Sequence, residues 1–218
     1  MYDWYTRYSF LDHFFGEDTT FDQFRRCQYP EWGNFVNQPY ELVEIRKWNH
    51  PERLAVVLRR SGGLFQPEGK VPLDVCKRFL FYRDTARMEV EYEITNCGVA
   101  EVGIWFGIEI NLTMLAGNDP QRHFLFPGLK GEDQLLISSG ALSQAEKVCL
   151  RDEFFGFEVS IEATPESELW RFPLETVSQS ESGFEKTYQG TVLLFHWRFC
   201  LRPMEKKPLP LTLSCRGI

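Results

Sequence analysis

This chain lacks several features, and each absence excludes a class of function. No apolar run approaches the roughly 18 residues needed to cross a bilayer, and no basic stretch followed by an apolar core opens the sequence as a leader would. Positive charge is scarce: 24 Lys and Arg stand against 31 Asp and Glu, a net charge of −7, so nothing draws the chain to nucleic-acid phosphates or an anionic membrane surface. A soluble, cytoplasmic setting with no nucleic-acid or membrane partner is expected. There is no Gly-rich phosphate loop, no Gly-x-Ser-x-Gly elbow and no His-Glu-x-x-His pair, so nucleotide, serine-nucleophile and metal-hydrolytic chemistries lose their usual signatures. Neither a cofactor nor a metal is expected. The six cysteines, Cys27, Cys76, Cys97, Cys149, Cys200 and Cys215, form no close pair, which predicts reduced, mostly buried thiols rather than a disulfide framework. No stretch carries a helical stripe of a dozen residues, and no internal repeat is visible.

What is present belongs to strands. With 43% hydrophobic and 15% aromatic residues in 218, one domain over residues 1–218 has ample material for a core. Met88, Val90, Tyr92 and Ile94 alternate with Glu89, Glu91, Glu93 and Thr95, the signature of an antiparallel strand with one wet face. Strands are also predicted over 40–48, 53–60, 75–82, 134–138, 157–163, 168–177, 191–202 and 209–213, separated by turn residues. The 168–177 strand is placed at an edge because of Pro173. Residues 118–133 read as a long loop containing His123, His50 as another loop residue, and 178–183 as a polar turn. The aromatic opening, residues 1–35, reads as a segment packing on the sandwich or on a missing partner, with Ser9 and Asp12 resembling a capping box and 21–35 a loop. Ten or more short strands make an all-β antiparallel sandwich.

Two strands carry polar groups opposite a bulky apolar face. In 105–112, Phe106, Ile108, Ile110 and Leu112 share one face, and Trp105, Gly107, Glu109 and Asn111 the other. In 191–202, Leu193, Phe195, Trp197, Phe199 and Leu201 oppose His196, Arg198, Cys200 and Arg202. If these strands are neighbours, Glu109, Asn111, His196 and Arg198 gather carboxylate, amide, imidazole and guanidinium, which suits sugar hydroxyls that both donate and accept. The same groups also suit a self-satisfied ion-pair network, and both readings stay open. Asp12 and His13 are adjacent, so their side chains diverge, and an interface or capping role is expected for them rather than joint chemistry. Trp4, Trp32 and Trp48 read as core or interface material before sugar platforms.

Tyr2-Asp-Trp-Tyr followed by Tyr8-Ser-Phe-Leu-Asp-His-Phe14, then Val75-Cys-Lys-Arg-Phe79 with Met88–Asn96, and Phe106-Gly-Ile-Glu-Ile-Asn-Leu112 together carry a resemblance. The chain resembles the C-terminal β-sandwich domain of family-57 glycoside hydrolases of the α-amylase and 4-α-glucanotransferase type. That resemblance implies a supersandwich of the galactose-mutarotase-like kind, attached in the family behind an incomplete β/α barrel that supplies the glutamate nucleophile and the aspartate acid/base. No barrel lies in this sequence, whose methionine stands directly on the opening motif, and retaining hydrolysis needs two carboxyl groups about 5 Å apart. No residue here maps onto that pair, so no catalytic residue is assigned. The implied partners are an α-glucan or maltooligosaccharide and the catalytic barrel of a parent enzyme. Three functions follow: an accessory domain that shapes the glucan cleft, a free-standing carbohydrate-binding module, and a mutarotase-like enzyme with His196 and Glu109 in one open pocket.

Overall fold

The computed structural model describes residues 3–180 and 183–218, with nothing stated of the Ser180 side chain. Strand β1 (Leu11–Phe14) precedes the short helix α1 (Phe21–Arg25), and β2 (Glu41–Asn49), β3 (Glu52–Gln66), β4 (Gly69–Tyr82), β5 (Arg87–Asn96) and β6 (Val102–Leu112) follow. After these come β7 (Arg122–Leu125), a 3₁₀ turn at Gly131–Gln134, β8 (Gly140–Asp152), β9 (Phe157–Ser180), β10 (Gly183–Leu201) and β11 (Lys206–Gly217). One antiparallel sheet runs in the order β1-β6-β10-β9-β11-β5-β4-β3-β2, with β8 lying beside β9 and β7 beside β8. Strand β9 makes this sheet a sandwich. Its first part pairs with β11 through Ala163, and from Glu168 onward it pairs with β10. The intervening corner, together with register shifts in β8 on either side of Ala145, passes the chain from one layer to the other, as irregularities in a ladder do. Phe106 and Phe195 of one layer then share a core with Val90, Ile94, Leu209 and Leu211 of the other. The Tyr92 and Phe106 rings meet across it at 6.0 Å. All six cysteines are free, but contrary to the expected buried thiols only Cys149 is fully buried, and Cys200 and Cys215 are exposed.

The structure departs from the sequence reading where local signals compete with tertiary pairing. The long loop expected over 118–133 contains β7, so His123 lies on a strand, and the strand expected over 134–138 is instead the end of a 3₁₀ turn and irregular chain. Strand β8 and helix α1 had no clear signal. The helix forms because Thr20, not Ser9, is the N-cap: Gln23 N donates to Thr20 Oγ1 at 3.3 Å, and Thr20 N donates to Gln23 Oε1 at 2.8 Å. Ser9 instead ties the opening segment to β6, donating to Asn111 O at 2.8 Å and accepting from Asn111 N at 3.0 Å. Pro173 sits inside a long strand rather than a short edge strand. It is tolerated because β8 last pairs with β9 at Arg171, leaving one flank of β9 free beyond it. The strand portion of the expected 178–183 turn runs to Ser180, and residues 181–182 lie outside the described residues.

The opening segment covers the outer face of β6, β10 and β9. Tyr5, Phe15, Phe24 and Tyr29 pack on Trp105 and Trp170 in a second apolar cluster, with Phe15 and Trp105 centroids 5.3 Å apart. Both faces of β6 are therefore buried, and among the described opening aromatics only Trp4 and Tyr8 stay well exposed. Gly107 makes this closure possible, because a Cβ there would stand 2.7 Å from the Phe15 ring and 3.0 Å from Leu194 Cδ1. Gly107→Ala is therefore expected to destabilise the domain by about 1–3 kcal/mol, since Phe15 is itself buried and has nowhere to go. Denaturant titration of the variant checks this, and an unchanged midpoint would refute it.

Candidate functional site

Strands β6 and β10 are neighbours, and their register divides the four predicted site residues into two groups. Glu109 stands opposite Leu194 and Asn111 opposite Val192, whereas His196 stands opposite Gly107 and Arg198 opposite Trp105. Glu109 has 0% exposure. Its Oε2 accepts from Tyr5 Oη at 2.6 Å and lies 3.0 Å from His13 Nε2, while Oε1 accepts from Asn111 Nδ2 at 2.7 Å and from Arg7 Nη1 at 3.2 Å. His13 Nδ1 in turn lies 3.0 Å from Glu31 Oε2 and 2.9 Å from Tyr29 Oη. Glu31 also accepts from Phe14 N at 2.7 Å and Gly33 N at 3.1 Å, which closes the network on the backbone.

The charges in this network follow from competing effects. Burial would raise the Glu109 carboxyl, but the His13 hydrogen bond, the Arg7 charge and Tyr5 outweigh it and hold the group down to about 2. Burial would lower His13, yet Glu109 and Glu31 together push it up to about 9. Glu31 is raised by burial despite its bonds to His13. A His13 imidazolium thus sits between the Glu109 carboxylate and the Glu31 side chain beneath the opening segment.

Asp12 and His13, adjacent on β1, point to opposite faces. Neither caps a helix, and both are buried within this chain. Asp12 is ion-paired with Lys77 Nζ at 2.6 Å and accepts from the Tyr40 hydroxyl, on the side away from Glu109. Tyr5, Arg7, Tyr29 and Glu31 were not singled out by the sequence. An acidic residue amid the aromatics of 21–35 was the available signal, but its partner lies on another strand.

The second group is built around Trp105. Trp105 Nε1 donates to His196 Nδ1 at 3.0 Å, and the Arg198 guanidinium lies 3.9 Å above the Trp105 ring. His196 is 2% exposed, with the Trp170 ring 4.6 Å away. Burial and then the Arg198 charge lower its pKa to about 3, so the ring is neutral. Arg198 itself is exposed and lines an aromatic cleft of 350 Å³ with Phe15, Trp32, Trp105, Gln66 and Glu17. Trp48 is packed between Arg46 and Arg53, and Trp4 lies on the surface. Among the described residues no group of three or more His, Cys, Asp and Glu side chains is disposed to hold a metal ion, and no helix is long and apolar enough to cross a membrane. Glu109 and His196 do not share an open pocket, which the mutarotase-like reading requires.

Residues 1–206 match the family described as Alpha-amylase/4-alpha-glucanotransferase, C-terminal. The chain belongs to this family. Among curated relatives of this C-terminal domain, Alpha-amylase 1 of Dictyoglomus thermophilum is 33% identical over 202 residues, covering 91% of this chain and 26% of its own length. The 4-alpha-glucanotransferase of Thermococcus litoralis has a crystal structure that superposes with a TM-score of 0.72 at 28% identity, covering 100% of this chain and 28% of that one. The chain thus spans about a quarter of the length of the relatives it matches. A galactose mutarotase-like protein of Clostridium acetobutylicum superposes with a TM-score of 0.61 at 11% identity over 98% of the chain, a likeness of fold alone. This chain shares the antiparallel sandwich fold of that protein and of the glucanotransferase.

Proposed function

We propose that this chain is the non-catalytic accessory domain of an α-glucan-processing hydrolase or transferase, where it supports a linked catalytic barrel and offers the glucan a surface centred on Arg198. The observation that carries this reading is the state of Glu109: a carboxylate with 0% exposure and four partners from its own domain braces the fold and cannot serve as an acid or base on a sugar. Glu109 and Asn111 then act on the glucan only indirectly, by fastening the opening segment that forms one wall of the aromatic cleft. In that cleft half-buried Trp32 offers a ring face, and Arg198, Gln66 and Glu17 offer hydrogen bonds to hydroxyls, the mixed lining that carbohydrates need.

Isothermal titration calorimetry with maltooligosaccharides tests the glucan contact. Saturable binding is expected, weakened about 10-fold or more by either Arg198→Ala or Trp32→Ala, the loss of one stacked or charge-assisted contact. Absence of heat at millimolar sugar, or unchanged affinity in both variants, would refute this cleft as a glucan surface.

A further inference from the structure

His196 leaves one atom unexplained. Its Nδ1 accepts from Trp105, so in the neutral ring Nε2 carries the proton, and that buried N–H has no hydrogen-bond partner among the described residues. An unsatisfied buried donor costs free energy, and a donor that also faces a pocket is one that a ligand could complete. The ring lines a second pocket, of 430 Å³, within the range of small-molecule sites. This pocket opens where β9 turns at its corner and β8 shifts register, so that β10 beyond His196 has no β9 partner. Ser143 and Gln144 come from the irregular stretch of β8, Glu166 and Glu168 from β9, and Lys207 from β11. Trp197 holds the corner in place by donating from Nε1 to Pro165 O at 3.0 Å.

We infer that this pocket is a second ligand site, separate from the aromatic cleft across Arg198, and that it takes one pyranose unit of an uncharged glucan through the His196 Nε2–H and the Glu168 carboxylate. Nε2 and Glu168 Oε2 stand 4.0 Å apart, too far to bond each other. A hydroxyl oxygen placed about 2.8 Å from each accepts from the imidazole and donates to the carboxylate, which neither an anion nor a cation does. The charges around the pocket point the same way: Glu166 and Glu168 are balanced by Arg198 and Lys207, so no net field selects a charged ligand. Gln144 and Ser143 supply the further donors and acceptors that a ring of hydroxyls requires. The choice of a sugar rests on the accessory-domain reading above, whereas the orphaned donor and the pocket do not.

The test is a maltotriose titration followed by ¹⁵N NMR of the His196 ring, the Gln144 amide and the Trp32 indole. Shifts at His196 Nε2 and Gln144 are expected. His196→Asn keeps an acceptor for Trp105 while deleting the Nε2 donor, and Glu168→Gln alters an exposed residue that folding does not need. Each is expected to weaken the component of binding reported by Gln144 at least 5-fold, with the Trp32 response unchanged. If Trp32 responds while His196 and Gln144 stay fixed, the second site is refuted and the glucan cleft stands. If neither responds, both readings fail. Unchanged Gln144 shifts in Glu168→Gln and His196→Asn would also overturn the proposal.

Discussion

Glu109→Ala is expected to cost the domain about 3–5 kcal/mol, because it leaves the buried His13 and Arg7 charges without their shared counter-charge. His13 is fully buried, and among the described residues Arg7 retains only Asp3, at 2.6 Å, as a carboxylate partner. Part of the loss comes from Tyr5, whose hydroxyl donates to the same carboxylate at 2.6 Å and would be stranded with its ring buried. Glu109→Gln is expected to lose less, about 1–3 kcal/mol, since the amide keeps the shape and some of the hydrogen bonds. Guanidinium unfolding of both variants checks the order and size. An alanine variant within about 1 kcal/mol of the parent would show that the network does not hold the opening segment. The same expectation bears on sugar-binding experiments: a Glu109→Ala domain that fails to bind glucan reports lost structure, and Arg198→Ala is the informative variant.

The second large effect is a stability maximum near pH 6.5 that falls on both sides. His13 has its folded pKa raised from 6.5 to about 9, so its contribution is fully present below pH 6.5 and is lost as pH rises through 9. Glu109 is lowered from 4.5 to about 2, so its contribution is present above pH 4.5 and is lost as pH falls through 2. His196, held neutral with a pKa lowered from 6.5 to about 3, adds to the acid loss between those values. Glu31 acts in the opposite sense: its raised pKa means that acidification relieves its burial, which blunts the acid limb. The expected loss is a few kcal/mol on the alkaline side between pH 6.5 and 9. Unfolding midpoints measured from pH 3 to 10 test this, and His13→Gln should flatten the alkaline limb specifically. A flat profile from pH 5 to 9 in the parent protein would contradict the role assigned to His13.

The strand faces were legible because a period of two is a local property. Phe106, Ile108 and Ile110, and likewise Leu193, Phe195 and Trp197, lie in the core on the side that their alternation predicts. The strong alternation of 87–96 coincides with β5. Class and family were also within reach of the sequence, since turn-punctuated alternation implies a sandwich and the Phe-Gly-Ile-Glu-Ile-Asn strand carries the resemblance. Less legible were β7 and β8, because β7 pairs with β8 and β8 with β9, so their placement depends on partners more than on their own pattern.

Alternation specifies which residues share a face, but not what covers that face. The polar side of β6 is buried because the opening segment folds back over it, a long-range event that no local pattern encodes. That closure turned Glu109 from an open-site candidate into the anchor of Tyr5, Arg7 and His13, drawn from positions about a hundred residues away. Register decided the rest. By setting His196 against Gly107 and Arg198 against Trp105, the β6–β10 ladder separated a polar quartet into the Glu109–Asn111 brace and a second pair in which His196 is buried and Arg198 exposed. The sequence alone determined the strands, their faces and the chemical types available. Tertiary structure decided which carboxylate is sealed and which imidazole proton is left unpaired, because burial and hydrogen-bond satisfaction depend on neighbours distant in the chain.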